Sequence, residues 1–545
     1  MPITAILEKN AALFGPDEAL AEVNPELAPQ ETPWRELNLV EGDHHHHGYR
    51  KAITWAGFDE RANQLANLLL QRGVKRGDKV AILLMNCIEW LPIYFGVLKT
   101  GAIAVPLNFR YSSGEIRYCL GLADASVLIF GPEFSDRVSA ISGEIADSIR
   151  LCLFVGENPP PYALGYEALS AAQPKSKPEI PLCDGDDAAI YFSSGTTGFP
   201  KAILHSHASL VSACVTEQAH HGQTKEDIFL CIPPLYHTGA KMHWFGSLLV
   251  GGRGVLLRGT SPRWILEIAC REKASVVWLL VPWAQDILDA IDRGEMNLAD
   301  YDLRAWRLMH IGAQPVPPSL IRRWKEHFPA HEYDTNYGLS ESIGPGSVHL
   351  GLENVHKVGA IGKAGFGWQT KIVGEDGALV PRGEVGELCV LGPGVMKCYY
   401  KDPEATAAVL KNGWLHTGDM AMEDEDGFIF LVDRKKDVII TGGENLYPVQ
   451  IEDFLRGNEK IKDVAVIGLA DARLGEIAAA IIELKPGFAP NEAEIMAFCA
   501  ELPRYKRPRR IIFDLVPRNP TGKIEKPKLR QKYAGGSVVD QQIHG

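Results

Sequence analysis

The chain has no cysteine pair of the CxxC kind. Its ten cysteines stand apart at positions 87, 119, 152, 183, 214, 231, 270, 389, 398 and 499. Neither a zinc ribbon nor a thioredoxin-like site is therefore indicated, and scattered thiols in a long chain suit a reducing cytosol better than a disulfide scaffold. Long apolar runs are missing too. A bilayer span needs about 20 apolar residues, and the longest run, around Val276–Ala284, is short and contains Pro282. The opening MPITAILEKNAALFGPDEAL carries acids early and has no long apolar core, so it does not read as a signal peptide. There is no excess of positive charge: 56 basic residues face 68 acidic ones, a net charge of -12. That balance argues against a nucleic-acid binder using its whole surface. No internal repeat is found. These absences lead us to expect a cytoplasmic protein with no transmembrane segment and no nucleic-acid partner; a homo-oligomer stays open.

What is present is ordinary for a globular protein, with 46% hydrophobic and 23% charged residues. At roughly 100–200 residues per domain, 545 residues exceed one core and allow two to four units. Phe58, Ala62, Leu65, Ala66 and Leu69 recur at helical spacing. Lys79–Leu84 reads as a buried strand, Glu89–Leu98 as a helix and Ile103–Pro106 as the next strand. Val127–Phe130, Leu151–Val155, Ala188–Phe192 and Ile228–Ile232 repeat the short apolar run bounded by turn signals. Strands alternating with helices imply parallel sheets covered on both faces. Lys371–Val373, a Glu375-Asp376-Gly377 turn and Val385–Val390 read instead as antiparallel hairpins. A break falls at Asp433–Asp437. Beyond it, strands at Val464–Gly468, Ala478–Leu484 and Arg510–Leu515, with helices near 449–456 and 491–501, suggest a separate domain of ordinary size. The tract His44–His47 reads as a surface loop, because four adjacent histidines do not preorganise a coordination sphere.

The sharpest local signal is Ser193-Ser194-Gly195-Thr196-Thr197-Gly198-Phe199-Pro200-Lys201, after the strand-like run Ala188–Phe192. Glycines let backbone approach a ligand without Cβ interference, hydroxyls and N–H groups can wrap phosphate oxygens, and Lys201 adds a point charge suited to a polyphosphate. It is not a Walker A loop, since Lys201 follows Pro200. A polar surface turn is the plainer alternative.

SSGTTGFPK resembles the phosphate-binding signature of the adenylate-forming superfamily: acyl-CoA synthetases, luciferases and the adenylation domains of peptide synthetases. The resemblance continues in order through Asn336-Tyr337-Gly338-Leu339-Ser340-Glu341, Trp414–Asp419, Asp433–Asp437, Gly442-Gly443-Glu444-Asn445 and Asn519-Pro520-Thr521-Gly522-Lys523. The fold it implies is α/β: a large N-terminal domain of two βα sheets plus a small β-barrel, with a smaller, mobile α+β C-terminal domain. The division it suggests is 1–433 for ATP and the acyl pocket, and 434–545 for a cap hinged at Lys436.

The resemblance also implies roles. Ser193, Ser194, Gly195, Thr196, Thr197, Gly198 and Lys201 would cradle ATP phosphates. Gly312, Ala313 and Gln314 would lie along adenine, although loop packing reads as well there. Tyr337, flanked by Asn336 and Gly338, offers a ring face for stacking. Ser340 stands where the family has Thr, and Glu341 would hold Mg²⁺, a hard cation suited to carboxylate plus phosphate oxygens. Asp419 would accept hydrogen bonds from the ribose hydroxyls, and Arg434 would contact the same ribose; a structural salt bridge is the alternative for Arg434. Lys523 would carry adenylation, as one ammonium placed between a carboxylate and the α-phosphate offsets their repulsion. Pro234–Gly239 resembles the segment lining the acyl pocket. His237 would gate it, and Met242 and Trp244 would be walls, or simply core. Gly442, Gly443 and Glu444 would face the pantetheine arm. The basic cluster Arg504, Lys506, Arg507, Arg509 and Arg510 could hold coenzyme A phosphates or be a solvated face. The expected reaction is activation of a carboxylic acid by ATP and transfer to coenzyme A, with a medium-sized apolar (fatty, alicyclic or aromatic) acid as the favoured substrate. Lys241 and Lys363 are cations that would overturn the apolar preference. A carrier-loading enzyme, a luciferase-like oxygenase and a non-catalytic nucleotide sensor are the rivals.

Overall fold

The computed structural model describes residues 1–27, 49–193, 200–312, 316–344, 346–434, 436–441, 444–471, 473–518 and 524–534. Contacts gather the chain into two compact units. The first comprises Met1–Gly312, Pro318–Thr370 and Val390–Leu415; the second comprises Ala313–Pro317, Lys371–Cys389 and His416–Gly545.

The first unit contains an eight-stranded and a seven-stranded sheet. In the larger one, Ile103–Pro106, Lys79–Leu83, Ala125–Phe130, Leu151–Phe154 and Leu164–Gly165 run parallel. Near-continuous apolar strands such as KVAIL fit a sheet buried on both faces. The sheet is mixed rather than wholly parallel: Asp187–Ser193 pairs antiparallel with Lys201–Ser206, bringing Ser193 opposite Lys201, and Cys398–Tyr399 adds an antiparallel edge. Alternating strands and helices do not announce this pairing, since only seven residues separate the end of the first strand from the start of the second.

The seven-stranded sheet orders Glu332–Asp334, Leu308–Gly312, Val276–Leu280, Ile228–Cys231, Arg253–Leu257, Glu18–Val23 and Arg50–Thr54. The longest apolar run divides here. Val276–Leu280 is a fully buried strand, and Val281–Asp292 is a helix begun by Pro282, where a missing N–H costs nothing. A third, small sheet joins Asn336–Tyr337, Val348–His349 and Lys363–Ala364.

A half-barrel sheet, most of it in the second unit, includes Gly386–Leu391 and the antiparallel pair Trp414–Glu423 and Ile429–Arg434. The second unit's other sheet places Ile461–Asp471 antiparallel to Gly475–Leu484, with Arg510–Phe513 parallel on the far side. The helix Pro448–Arg456 packs its apolar face, Ile451 and Leu455, into this sheet's core. The architecture is the mixed α/β arrangement expected. Among the described residues no helix is long and apolar enough to cross a membrane.

Candidate active site

In the first unit the paired ends of Asp187–Ser193 and Lys201–Ser206, the 3-10 turn Ser340–Ser342 and the segment 396–399 converge. Lys201 is half-buried, its ammonium 4.6 Å from the Tyr399 ring centre. The Tyr399 hydroxyl donates to Glu341 Oε1 at 2.9 Å, and the Met396 amide donates to the Glu341 carbonyl at 2.8 Å. Burial, reinforced by the Glu341 carboxylate, pushes the Tyr399 phenol well above its ordinary range, so this hydroxyl stays a donor. On the other side His205 Nε2 lies 2.8 Å from the Ser340 carbonyl. One carboxylate, one ammonium and one phenol thus share a small volume. Asn336 and Tyr337 form a short strand, with Tyr337 buried. Gly312 ends its strand next to them; a Cβ there would stand 4.0 Å from the Asn336 carbonyl oxygen. Gly338 and Ser340 are half-buried in the turn that follows.

His237 caps the helix Thr238–Val250, its Nδ1 accepting the Gly239 amide at 3.1 Å. The proton of a neutral ring then sits on Nε2. Tyr236 meets His237 edge-on at 6.4 Å and Phe109 at 5.4 Å. Gly344, at φ +95°, approaches this cap so closely that a Cβ would lie 3.2 Å from Thr238 and 3.3 Å from the Gly239 nitrogen. Only glycine meets both demands. Met242 and Trp244 are fully buried on the same helix, with Trp244 against Gly254 on its strand. Lys241 is also buried, its amine 4.4 Å, 5.2 Å and 5.5 Å from the ring centres of Tyr191, Tyr94 and Trp90; burial drives its pKa far down. Lys363 is exposed on its strand.

Two features here were not evident from the sequence. Trp278 sits beside the cap: its ring would touch a Cβ on Gly239 at 3.6 Å and lies 4.9 Å from His243. Behind the cap is a buried cluster of Glu217, His221, His243, His310, Asp334 and His349. Its members lie on five elements spread over more than a hundred residues, so no local motif signals them; only Glu217 and His221, four apart on one helix face, are near in sequence.

In the second unit Asp419 and Arg434 face each other across adjacent strands, with Arg434 Nε 2.8 Å from Asp419 Oδ1. Gly418, at φ +72°, presents its amide to Glu387 Oε1 at 3.0 Å, and Thr417 Oγ1 donates to the Leu388 carbonyl at 2.7 Å. These bonds fix the turn that aims Asp419. Lys436 is exposed. Of the basic cluster, Arg504 is exposed, Lys506 donates to Gln450 Oε1 at 2.7 Å, and Arg507 is committed to the Leu502 and Ala500 carbonyls at 2.8 Å and 2.6 Å. Glu444 begins the strand Glu444–Leu446. Ser194–Gly198, Ala313, Gln314, Gly442, Gly443 and Lys523 lie outside the described residues, as do His44–His47.

Comparison with known proteins agrees with this geometry. Residues 32–400 match the family model described as AMP-binding enzyme, and 450–523 match the AMP-binding enzyme C-terminal domain. The long-chain-fatty-acid–CoA ligase FadD13 of Mycobacterium tuberculosis is 33% identical over 88% of this chain and 93% of its own. A feruloyl-CoA synthase from an Amycolatopsis species is 35% identical over 88% of this chain and 94% of its own. Among solved structures, that of the anthranilate CoA ligase AuaEII in complex with anthranoyl-AMP superposes with a TM-score of 0.85 at 26% identity, covering 98% of this chain and 97% of that one. The chain belongs to the AMP-binding enzyme family, in the acyl-CoA ligase branch of the adenylate-forming enzymes. It is an acid–thiol ligase.

Proposed function

We propose that this enzyme condenses a carboxylic acid with ATP to acyl-AMP and pyrophosphate, then passes the acyl group to the coenzyme A thiol with release of AMP. The favoured acid is medium-sized and apolar. The observation that most supports this reading is the meeting of Lys201, Tyr399 and Glu341 beside the Asn336–Tyr337 strand. It offers an ammonium for polyphosphate and a carboxylate with a neutral hydroxyl at its side.

In this reading Lys201 and the Ser193–Gly198 loop hold the β- and γ-phosphates, Ser340 reaches the α-phosphate and Tyr337 stacks on adenine. A half-buried carboxylate suits Mg²⁺, a hard cation that prefers carboxylate and phosphate oxygens. Glu341 would hold that ion, which would neutralise phosphate charge. Asp419 takes the ribose hydroxyls, with Arg434 setting its orientation. Lys523 bridges the two anions as the carboxylate oxygen displaces pyrophosphate. The 434–545 segment then turns about Lys436, withdrawing Lys523 and bringing Gly442, Gly443 and Glu444 to the pantetheine arm, with Arg504 and Lys506 on the coenzyme A phosphates. His237 gates the acyl pocket, and Met242 and Trp244 back it. The apolar preference is supported by the enclosure of Lys241 in three aromatic rings and the exposure of Lys363 on its strand, which leave neither positioned as a counter-ion for a second carboxylate. The coenzyme A ligases among the relatives make carrier-protein loading the weaker alternative.

The test is a pyrophosphate-release screen across fatty, alicyclic and aromatic acids, followed by thioester analysis with free coenzyme A. Acid-dependent pyrophosphate release and a coenzyme A thioester are expected. Nucleotide binding without cleavage between the α- and β-phosphorus, for every acid offered, overturns the proposal.

A further inference from the structure

The buried cluster behind the His237 cap has a composition that hydrogen bonding inside the protein does not fully satisfy. Glu217, His243 and His310 come from the helix His207–His221, the helix Thr238–Val250 and the strand Leu308–Gly312. All three are at most 2% exposed, and one ligand-type atom from each lies within 4.8 Å of the other two.

Each side chain is prepared differently. His243 Nδ1 meets the Gly239 carbonyl, so the ring proton is held there and Nε2 presents a lone pair. A ring whose far nitrogen is fixed on a backbone carbonyl is the usual state of a metal-bound histidine. The Asn336 amide donates to that Nε2 at 3.0 Å and to Glu217 Oε1 at 3.1 Å, so two electron-rich atoms converge on one donor that a metal would displace. His310 is fully buried, and neither ring nitrogen has a hydrogen-bond partner among the described residues. Its Nδ1 stands 3.9 Å from Glu217 Oε2. A buried imidazole with both nitrogens unpaired carries a desolvation cost that a ligand for it would remove.

A second triad, His221, Asp334 and His349, adjoins the first. It reads as support. His221 spans the two acids, with Nε2 2.8 Å from Asp334 Oδ2 and Nδ1 3.2 Å from Glu217 Oε2, while His349 Nδ1 is 3.1 Å from the same Asp334 oxygen. Each of its histidines bonds Asp334 Oδ2 through one ring nitrogen, whereas neither nitrogen of His310 has a hydrogen-bond partner among the described residues. The ion pairs of Glu217 and Asp334 among the described residues are all with imidazoles. No lysine or arginine is ion-paired with the two buried carboxylates among the described residues; the His221 imidazolium between them is one positive charge against two negative ones.

We propose that Glu217, His243 and His310 form a buried site for a divalent transition metal of the zinc class, held by one carboxylate oxygen and two imidazole nitrogens behind the acyl-pocket cap. Imidazole with carboxylate is a donor set for zinc rather than magnesium or calcium, which take oxygen ligands. With metal–ligand distances of about 2.0–2.1 Å, donors around zinc stand roughly 3.4 Å apart, so these side chains need only close in slightly. The proposal is independent of the adenylation chemistry.

The experiment removes the obvious confounder first. His44→Ser, His45→Ser, His46→Ser and His47→Ser are made together, and the protein is purified without metal-affinity resin and dialysed against chelator-treated buffer. Elemental analysis should find about one equivalent of zinc per chain, falling at least fivefold in His310→Ala and in His243→Ala. Should those variants fail to fold, the unaltered site is read directly: zinc-edge X-ray absorption should show imidazole scattering, and cobalt exchange should give visible d–d bands of low-coordinate cobalt. Less than a tenth of an equivalent of metal, with no uptake when zinc is offered, overturns the proposal. So does metal content unchanged in His310→Ala, or a coordination shell without imidazole.

Discussion

In the first unit the acids behind the candidate site, Glu217 and Asp334, meet imidazoles. In the second, Glu452 meets the Lys526 ammonium at 2.8 Å, Asp419 meets Arg434, and Asp463 meets Arg518 at 2.6 Å. The first unit does hold the guanidinium pair Arg50–Glu272, but not beside its site. The contrast shows two ways of placing charge in an interior. Ammonium and guanidinium partners keep their protons at any pH at which the protein folds. An ordinary imidazole changes charge near neutrality, although against the effect of burial the two acids raise His221 to about 10, and imidazoles can also trade a proton for a metal. The units are separately visible, because all eleven tryptophans belong to the first.

The sharpest way to break the comparison at the level of function is Lys523→Ala. Adenylation should fall by about a thousandfold or more, while thioester formation from supplied acyl-AMP persists. Equal loss of both half-reactions, measured separately, would remove the division of labour. Next is Glu452→Gln. Stripping the carboxylate from the buried Lys526 should destabilise the second unit by about 3–5 kcal/mol. Circular dichroism should register this at denaturant concentrations where tryptophan emission is unmoved. A simultaneous emission shift would mean the units unfold as one.

Acid should act chiefly on the first unit. Burial holds His205, His207 and His331 down at about 4. The groups facing them, Lys241 near His205, Asp186 and Arg76 near His207, and Lys325 near His331, do not reverse this. The unfolded chain therefore binds these protons first, near pH 6.5. The stability they give is whole above that pH and is lost as pH falls through 4, on the order of 3 kcal/mol for a wholly buried ring such as His205. Asp433 in the second unit has the opposite sign. Burial raises it to about 6, so its contribution is greatest below the unfolded carboxylate range and is lost as pH rises through 6. Tryptophan-detected denaturation at pH 7.5 and pH 5 should show the first unit weakening on acidification; no change would sink this. The smallest expected effect is that of Arg434→Ala. It frees Asp419 to wander and should raise the KM for ATP about tenfold, near 1.4 kcal/mol, with kcat little altered. A larger fall in kcat than rise in KM would give Arg434 a direct part in the chemistry.

Much of the scaffold was legible because short, β-branched apolar runs bounded by turn residues favour strands. Ile103–Pro106 falls where it was read, and Lys79, Leu151 and Ile228 begin their strands as expected. The pairing of Asp187–Ser193 with Lys201–Ser206 was half legible: the first strand was clear, but the second begins with a lysine and ends in His205-Ser206, which break the apolar run. The site motifs were legible because each is a contiguous string. Tyr399, Trp278 and the histidine–glutamate cluster were not, since a lone tyrosine, tryptophan or histidine carries no signal until its neighbours are known.

The sequence by itself determined that this is an α/β enzyme of the adenylate-forming kind. Local strings of glycine, hydroxyl, acid and lysine set backbone freedom and charge without help from distant residues. The tertiary structure alone decided which side chains share an environment. It placed Tyr399 between Lys201 and Glu341, enclosed Lys241 in aromatic rings, and drew imidazoles from four separate elements around two acids. Burial and proximity are properties of the packed chain, and they set whether a given histidine is core, proton carrier or ligand.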